Sequence, residues 1–355
     1  MSAAAMRPIF IAAMGHASAL GLSAASAGAV ALAERPCPAW RDLPDGRYPW
    51  FTLPLSEAAW MERARRALAL VGDELAAGCA RTELAALPLF VGSSAQATGE
   101  VEARARLSGR VNMSPSESIA IFSHEVAAVF GAAAPPWLFS TACTSGFAAL
   151  EAACALIGTG ETNEALALGV EFDCDTTLAG FASLGLLAHG EEEDGLILGE
   201  AVAGLRLTAR PCGAWRIAAC RLSLDEHSVT TPAPDGAPIA ANLAAALADA
   251  GLTAADIDLL KPHRGRLAAT DEAEAAALRQ VFGERLPPEI TFKRHFGHTL
   301  GACGPAELTA LLAVLATPAG QAHYGRPRHV LLNVVGFGGS LATVIVSRRA
   351  AEEGA

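Results

Sequence analysis

The sequence predicts an α/β fold assembled from two similar halves. Short apolar runs of strand length alternate with longer Ala- and Leu-rich runs of helical spacing along the whole chain. Alternation of this kind puts helices on the faces of a largely parallel sheet. The series then begins again after a break in composition at Ala209–Gly213, which divides the chain into residues 1–208 and 209–355. With 355 residues, 52% of them hydrophobic, the chain is long and apolar enough to fill two layered halves.

The first half opens with a strand at Ile9-Phe-Ile-Ala-Ala-Met-Gly, a turn at Gly15-His16 and an Ala/Ser-rich helix. Glu34–Leu55, with five prolines and several charges, reads as a surface excursion. Ser56–Cys79 reads as an amphipathic helix capped by Ser56-Glu57, because Trp60, Met61, Ala64, Leu68, Val71 and Leu75 recur at helical spacing. Leu87–Gly92 is a buried strand, 95–118 a mixed loop and helix, and Glu117–Val129 a helix. Trp137-Leu-Phe is a short buried strand and Phe147–Ile157 a helix. Glu164–Glu171 is another buried strand, and the acidic Glu191-Glu-Glu-Asp-Gly is a solvated loop before the turn and strand at 196–207. The second half runs strand 214–222, Pro/Asp/Gly loop 231–238, helix 240–250, strand 257–260, helix 271–282, strand 289–292, helix 305–316, and strands 328–335 and 341–347.

Composition excludes several classes. A net charge of −11, with pI near 5.3 and no long basic run, argues against nucleic acid as a partner. Eight cysteines without CxxC pairs fit a reducing, cytoplasmic setting. The apolar stretch Met1–Ala33 has one positive side chain, Arg7, and is interrupted by Gly15, His16, Ser18, Gly21 and Ser23, unlike a secretory leader. No apolar run suggests a membrane span. Of the 26 basic residues only two are lysine, Lys261 and Lys293, which either marks sites where a compact ammonium does not exchange for a guanidinium or is chance, and Lys261 alone carries no reading.

The chemistry-bearing stretch is Ser140-Thr-Ala-Cys143-Thr-Ser-Gly146. Cys143 falls on a turn between a strand and the first turn of a helix, where amide groups and the helix dipole stabilise a thiolate and the Cys143 NH faces a developing oxyanion. By itself the stretch is equally that of an inert buried cysteine. Two histidines follow predicted strands: His263 after Leu260-Lys-Pro, and His298 in a loop punctuated by Gly297, Gly301 and Gly304. Taken singly, each is more readily a hydrogen-bonded core or surface imidazole. His295, His298 and Cys303 match no standard zinc spacing, so no metal is expected. Gly336-Phe337-Gly338-Gly339 lacks the Lys-Ser/Thr and the following helix of a phosphate loop. One cysteine with two histidines suits thiol chemistry on an acyl group in which a second negative charge, such as an enolate, is stabilised.

In this arrangement the chain resembles the β-ketoacyl-acyl-carrier-protein synthases of the thiolase superfamily. Thr141-Ala-Cys-Thr-Ser-Gly resembles their nucleophile motif, and His263 with Asp271, Glu272 and Glu274 beyond it has the spacing of their first histidine segment. Lys293-x4-His298-Thr-Leu-Gly-Ala-x-Gly-x-x-Glu307 resembles the second, and Gly336-Phe-Gly-Gly the final bend. The order holds from residue 8 to residue 348. The resemblance implies a thiolase-like αβαβα layered fold. It also implies that Cys143 accepts the acyl chain, that His263 and His298 hold and decarboxylate the malonyl thioester, and that Lys293 and Glu307 orient the pair. The NH groups of Cys143 and Phe337 would form the oxyanion hole, with Gly338 in the bend and the Phe337 ring gating the pocket. No resident cofactor is implied, since substrates arrive on the phosphopantetheine of an acyl carrier protein.

The same resemblance implies a homodimer, or a heterodimer with a related ketosynthase, joined by edge pairing around Leu166–Val170. For an acidic carrier, Arg63, Arg66, Arg104 and Arg106 are the candidate basic patch. The chain departs from the family in two respects, one being that it is appreciably shorter than is usual for this branch, with the early region thinned. In the other, Arg264-Gly-Arg-Leu267 replaces Gly-Thr-Gly-Thr after the first histidine, which removes two threonine hydroxyls and offers Arg264 or Arg266 to a phosphate. That departure keeps a second reading open, a non-condensing chain-length-factor-like partner of an active synthase. A degradative thiolase is disfavoured because the final bend has no second cysteine.

Overall fold

The computed structural model describes residues 6–33, 35–57, 59–109 and 115–349. Residues 1–5, 34, 58 and 110–114, within the expected leader-like, excursion, helical and mixed segments, lie outside the described residues. The strands are β1 (Ile9–Ala17), β2 (Ala39–Leu43), β3 (Gly46–Phe51), β4 (Leu89–Gly92), β5 (Trp137–Phe139), β6 (Glu164–Glu171), β7 (Leu198–Gly199), β8 (Ala201–Thr208), β9 (Trp215–Leu224), β10 (Leu259–Lys261), β11 (His329–Val335) and β12 (Ser340–Arg348). The helices are α1 (Ala24–Val30), α2 (Trp60–Leu75), α3 (Arg81–Ala85), α4 (Thr98–Ser108), α5 (Pro115–Phe130), α6 (Ser145–Thr159), α7 (Asp175–Ser183), α8 (Ala237–Ala250), α9 (Ala268–Phe282), α10 (Lys293–Phe296), α11 (Cys303–Ala316) and α12 (Pro318–Tyr324).

Nine strands form one continuous sheet in the order β10-β11-β12-β9-β1-β8-β6-β4-β5. It is mixed, not largely parallel: β4 is parallel to β5 and β6, and β10 to β11, but the strands between run antiparallel. The reason lies in the connections. β11 and β12 are joined by a short bend without an α-helix and so fold back as antiparallel neighbours, while β1 lies between β8 and β9 and runs antiparallel to both. The duplication is explicit in the topology. β5-β4-β6-β8-β1 has its counterpart in β10-β11-β12-β9, with the same sense at each step, and the place of β5 is taken by a single parallel bridge between Leu260 and Glu289. The strand expected at 289–292 is therefore reduced to that bridge. The halves join where Ile9 and Phe10 of β1 pair with Ile217 and Arg216 of β9.

The layers follow from which faces are apolar. α6 and α11 are apolar on nearly every side and lie in the middle, α6 packed on strands of both halves. Every residue of α11 from Cys303 to Leu315 is buried. By length and composition Ala142–Thr159 is apolar enough to cross a membrane, and its burial as the central helix accounts for that composition. α2 and α5 cover the outer face of the first half, α8 and α9 that of the second. Separate cores fill the middle and the two outer interfaces.

Four expectations are corrected. The excursion at 34–55 contains the hairpin β2–β3, which pairs with β7 and buries Tyr48, Trp50 and Phe51. Pro44-Asp45-Gly46 was its turn signal. The next helix begins at Trp60, and its N-cap, Ala59, makes no side-chain bond, so Ser56 does not cap it. Trp137 is 66% exposed because β5 is the sheet's edge. Finally, β6, with Leu166–Val170, is paired on both sides by β4 and β8, so it offers no free edge. The free edge of the first half is β5.

Candidate active site

Cys143 lies where β5 leads into α6, buried, with Thr144 as N-cap. The turn is held by short bonds. Ala142 takes φ +52°, and Ser145 Oγ accepts the Thr141 NH at 2.9 Å while donating to the Ala142 carbonyl at 2.6 Å. Thr144 Oγ1 donates to the Thr141 carbonyl at 2.8 Å. Its neighbour α6 fits tightly against α11: a Cβ on Gly146 would meet the Pro305 ring.

His298 occupies the matching place in the second half, on the loop after the Glu289 bridge and ahead of α11. Its Nε2 lies 3.1 Å from Cys143 Sγ. The loop is fixed by the His298 NH donating to the Ile197 carbonyl at 2.7 Å and the Gly199 NH to the His298 carbonyl at 3.1 Å. Gly297, at φ +74°, is required there, since a Cβ would come within 2.8 Å of the Leu198 backbone. His263, past the end of β10, stands edge-on to His298 with ring centroids 5.3 Å apart. Glu274 of α9 holds its backbone: the carboxylate accepts the His263 NH at 2.6 Å, the Arg264 NH at 3.0 Å and Asn333 Nδ2 at 2.6 Å.

Electrostatics set both imidazoles neutral. Burial, with the charges of Lys293 and Lys261 near them, holds His263 and His298 well below the usual histidine range. Burial also pushes the Cys143 thiol up to about 12, against smaller lowering contributions from the Phe337 NH and Lys293. This corrects the expectation of a lowered thiol. The helix terminus is present, but the pocket excludes the water that would solvate a thiolate. The resting site is thus a neutral thiol beside a neutral imidazole that can accept its proton.

Lys293 Nζ donates to Glu307 Oε1 at 2.6 Å and to Cys303 Sγ at 3.4 Å. Glu307 Oε2 receives Lys261, so both lysines of the chain meet one buried carboxylate. The bend Gly336–Gly339 closes the site from the other side. The Phe337 NH donates to Cys143 Sγ, and the Phe337 ring packs edge-on against Phe181 at 5.3 Å. Gly338 takes φ +75° with no neighbour near its missing Cβ, whereas a Cβ on Gly339, at φ +76°, would overlap the Asp225 carbonyl oxygen. A narrow cleft leads to His263, His298 and Phe337 past Thr230, Thr231 and Asp225.

Every predicted site residue, Cys143, His263, Lys293, His298, Glu307, Phe337 and Gly338, thus belongs to one constellation. Sequence reasoning missed the loop after β9, in which Asp225 accepts the His227 NH at 2.9 Å and the Ala233 NH at 2.8 Å. It also gave Lys261 no role, although composition had singled it out. His295 packs against Phe292 and not toward His298's partner Cys143. Among the described residues no three His, Cys, Asp or Glu side chains are grouped to hold a metal ion.

Two expectations about arginines are corrected. Arg264 is bidentate to Glu289, with bonds of 2.8 and 3.0 Å from Nη2, and Arg266 donates from Nη2 to the Glu191 and Glu193 carbonyls while its Nη1 has no partner, so Arg264 is held by a carboxylate and Arg266 is turned onto the acidic loop. Both sit at positive φ, +44° and +66°, positions where the resembling family carries glycine. The acidic turn is accordingly a partner of Arg266, and of Arg35 through Glu191 and Glu192. In the supposed carrier patch, Arg63 pairs with Asp173 and Glu200, Arg104 with Glu100, and Arg106 with Asp175. Arg66 remains exposed.

The site thus sets a cysteine and two histidines at the centre of a layered, duplicated α/β fold, and comparison with known proteins shows the family to which this arrangement belongs. The β-ketoacyl synthase N-terminal domain profile matches residues 40–210 and the C-terminal domain profile residues 215–320. The chain belongs to the β-ketoacyl synthase family. It is 31% identical over 252 residues to 3-oxoacyl-[acyl-carrier-protein] synthase 2 of Rhizobium meliloti (strain 1021), covering 59% of each chain. It is 28% identical over 284 residues to the phenolphthiocerol synthesis polyketide synthase type I Pks15/1 of Mycobacterium marinum, covering 66% of this chain and 14% of that one. These matches thus span less than two thirds of either relative's length. Among solved structures, the ketosynthase ApeO in complex with its chain length factor ApeC from Xenorhabdus doucetiae has the same fold, with TM-score 0.81, 23% identity, and 97% and 98% of the two chains covered. A β-ketoacyl synthase from Burkholderia phymatum STM815 superposes with TM-score 0.76 at 22% identity, covering 97% of this chain and 100% of that one.

Proposed function

We propose that the chain is a β-ketoacyl synthase that joins an acyl group on Cys143 to a malonyl unit delivered on an acyl carrier protein, with loss of carbon dioxide. The observation that carries this is the 3.1 Å contact of His298 Nε2 with Cys143 Sγ beside a second neutral imidazole. The thiol attacks the incoming thioester and passes its proton toward His298, while the Cys143 and Phe337 amides hold the oxyanion. The carrier thiol leaves. The malonyl thioester carbonyl then accepts hydrogen bonds from His263 and His298. Cleavage of the bond to the carboxylate releases carbon dioxide and leaves its electron pair on an enolate held by the two imidazoles. The enolate carbon attacks the Cys143 thioester, the C–S bond breaks with its electron pair on sulfur, and the Cys143 thiolate takes up one proton from water to restore the thiol. Such donors are each worth about 3 to 4 kcal/mol of transition-state stabilisation.

A second reading, a chain-length-factor-like partner, is favoured by one observation: the loop after His263 has lost both threonines and is tied down by Arg264 and Arg266. In either reading the dimer, with a second copy or a related synthase, pairs along β5. Intact-mass analysis after incubation with acyl-carrier protein, for wild type and Cys143→Ala, decides between them. Acyl mass on wild type alone, followed by malonyl extension, supports the synthase. No acylation of this chain, with acylation of a partner synthase in a stable complex, supports the second reading.

A further inference from the structure

The two lysines of the chain meet on one carboxylate. Lys261 is the last residue of β10, two before His263. Lys293 opens α10, five before His298. Glu307, on α11, takes Lys261 on Oε2 and Lys293 on Oε1, and all three side chains are at most 4% exposed. Each lysine belongs to the segment that carries one of the histidines, so the carboxylate ties the two histidine-bearing segments to the central helix. A buried ammonium without a partner costs several kcal/mol. Two of them on one carboxylate leave this spot with an excess of positive charge that both imidazoles feel.

We propose that Lys261 is a positioning residue of the reaction: with Lys293 it clamps Glu307 and so sets the spacing of His263 and His298. This rests on the synthase reading. The charged or titratable groups facing it are Lys293, Glu307, Cys303, Glu274, His263 and His298. Burial and the neighbouring Lys293 ammonium push Lys261 down to about 7, and its charge lowers both histidines. Loss of that charge therefore raises both histidines.

The test begins on the wild-type chain, which carries only two lysine side chains. Protein labelled with ¹³C at the lysine ε-carbon is expected to show the Lys261 signal titrating near neutrality. A Lys261 signal with the shift and titration of a solvent-exposed lysine would overturn the clamp. Next, Lys261→Met is compared with wild type in histidine NMR titration and in carbon dioxide release from malonyl-carrier protein. The expected result is a rise of the His263 and His298 midpoints and a roughly tenfold or greater loss of decarboxylation. The acid limb of its pH profile moves to higher pH, and Cys143 still acylates. Unchanged histidine midpoints in a folded variant would also overturn it. If wild type releases no carbon dioxide, the synthase reading fails, while the lysine and histidine titrations still decide the clamp. If Lys261→Met does not fold, the wild-type lysine titration stands alone as the test.

Discussion

His298 Nε2 stands 3.1 Å from Cys143 Sγ although 155 residues separate them, each on the loop that precedes one of the two central helices. The internal duplication makes this contact: equivalent loops from the two halves meet face to face across α6 and α11. The nucleophile and its base are thus placed by the same topological feature.

Because burial pushes the Cys143 thiol up to about 12, its alkylation by iodoacetamide is expected to be slow at pH 7. It should accelerate about tenfold per pH unit up to pH 10, as thiolate fraction does below the pKa. Mass spectrometry of the modified peptide measures this. A rate already level by pH 8 would instead indicate a thiolate–imidazolium pair. His298→Ala is expected to slow acyl transfer to Cys143 about 10²- to 10⁴-fold by removing the base.

Buried neutral histidines make stability fall on the acid side. Burial lowers His16 to about 3, and His263 and His298 lie well below 6.5. The unfolded chain takes up protons below about pH 6.5 while the folded chain does not, so stability is lost as pH falls through that point. His16, lowered to about 3, contributes a loss of about 2 kcal/mol by pH 5, and His263 and His298 add to it in the same direction. Urea denaturation at pH 7 and pH 5 measures the sum, and His16→Gln should shrink the difference by about 2 kcal/mol.

In the final bend the two glycines differ. Gly339→Ala forces a Cβ into the Asp225 carbonyl at positive φ and is expected to cost more than about 3 kcal/mol, together with acyl acceptance. Gly338→Ala meets no atom and costs only the left-handed backbone penalty, about 1 kcal/mol. Chemical denaturation of the two variants compares them.

Glu274→Gln replaces the carboxylate that accepts two main-chain NH groups and Asn333. The expected loss is about 2 kcal/mol of stability with slower decarboxylation, since the His263 backbone loses its anchor. Denaturation and carbon dioxide release from malonyl-carrier protein read the two effects separately.

Trp137, two-thirds exposed on the free edge β5, is expected to lie in the dimer contact. Trp137→Asp should convert the assembly to monomers by light scattering without changing the circular dichroism.

What the sequence determined by itself was local or motif-borne. Helical spacing located α6, α9 and α11, apolar runs located β4, β6 and β11, and four short motifs in order marked Cys143, His263, Lys293, His298, Glu307 and Phe337. These signals are local because a buried face, a tight turn or a nucleophile needs its residue types within a few positions. The tertiary structure decided what depends on partners far along the chain. It set the antiparallel sense of β8, β9 and β12, and it made β6 an interior strand and β5 the edge. It spent Arg264 on Glu289 and Arg266 on the carbonyls of 191 and 193. It turned Cys143 from an activated thiolate into a desolvated thiol, because a pKa answers to burial, which no motif displays. It also brought Lys261, conspicuous in composition yet without a motif, onto the carboxylate of Glu307, 46 residues away.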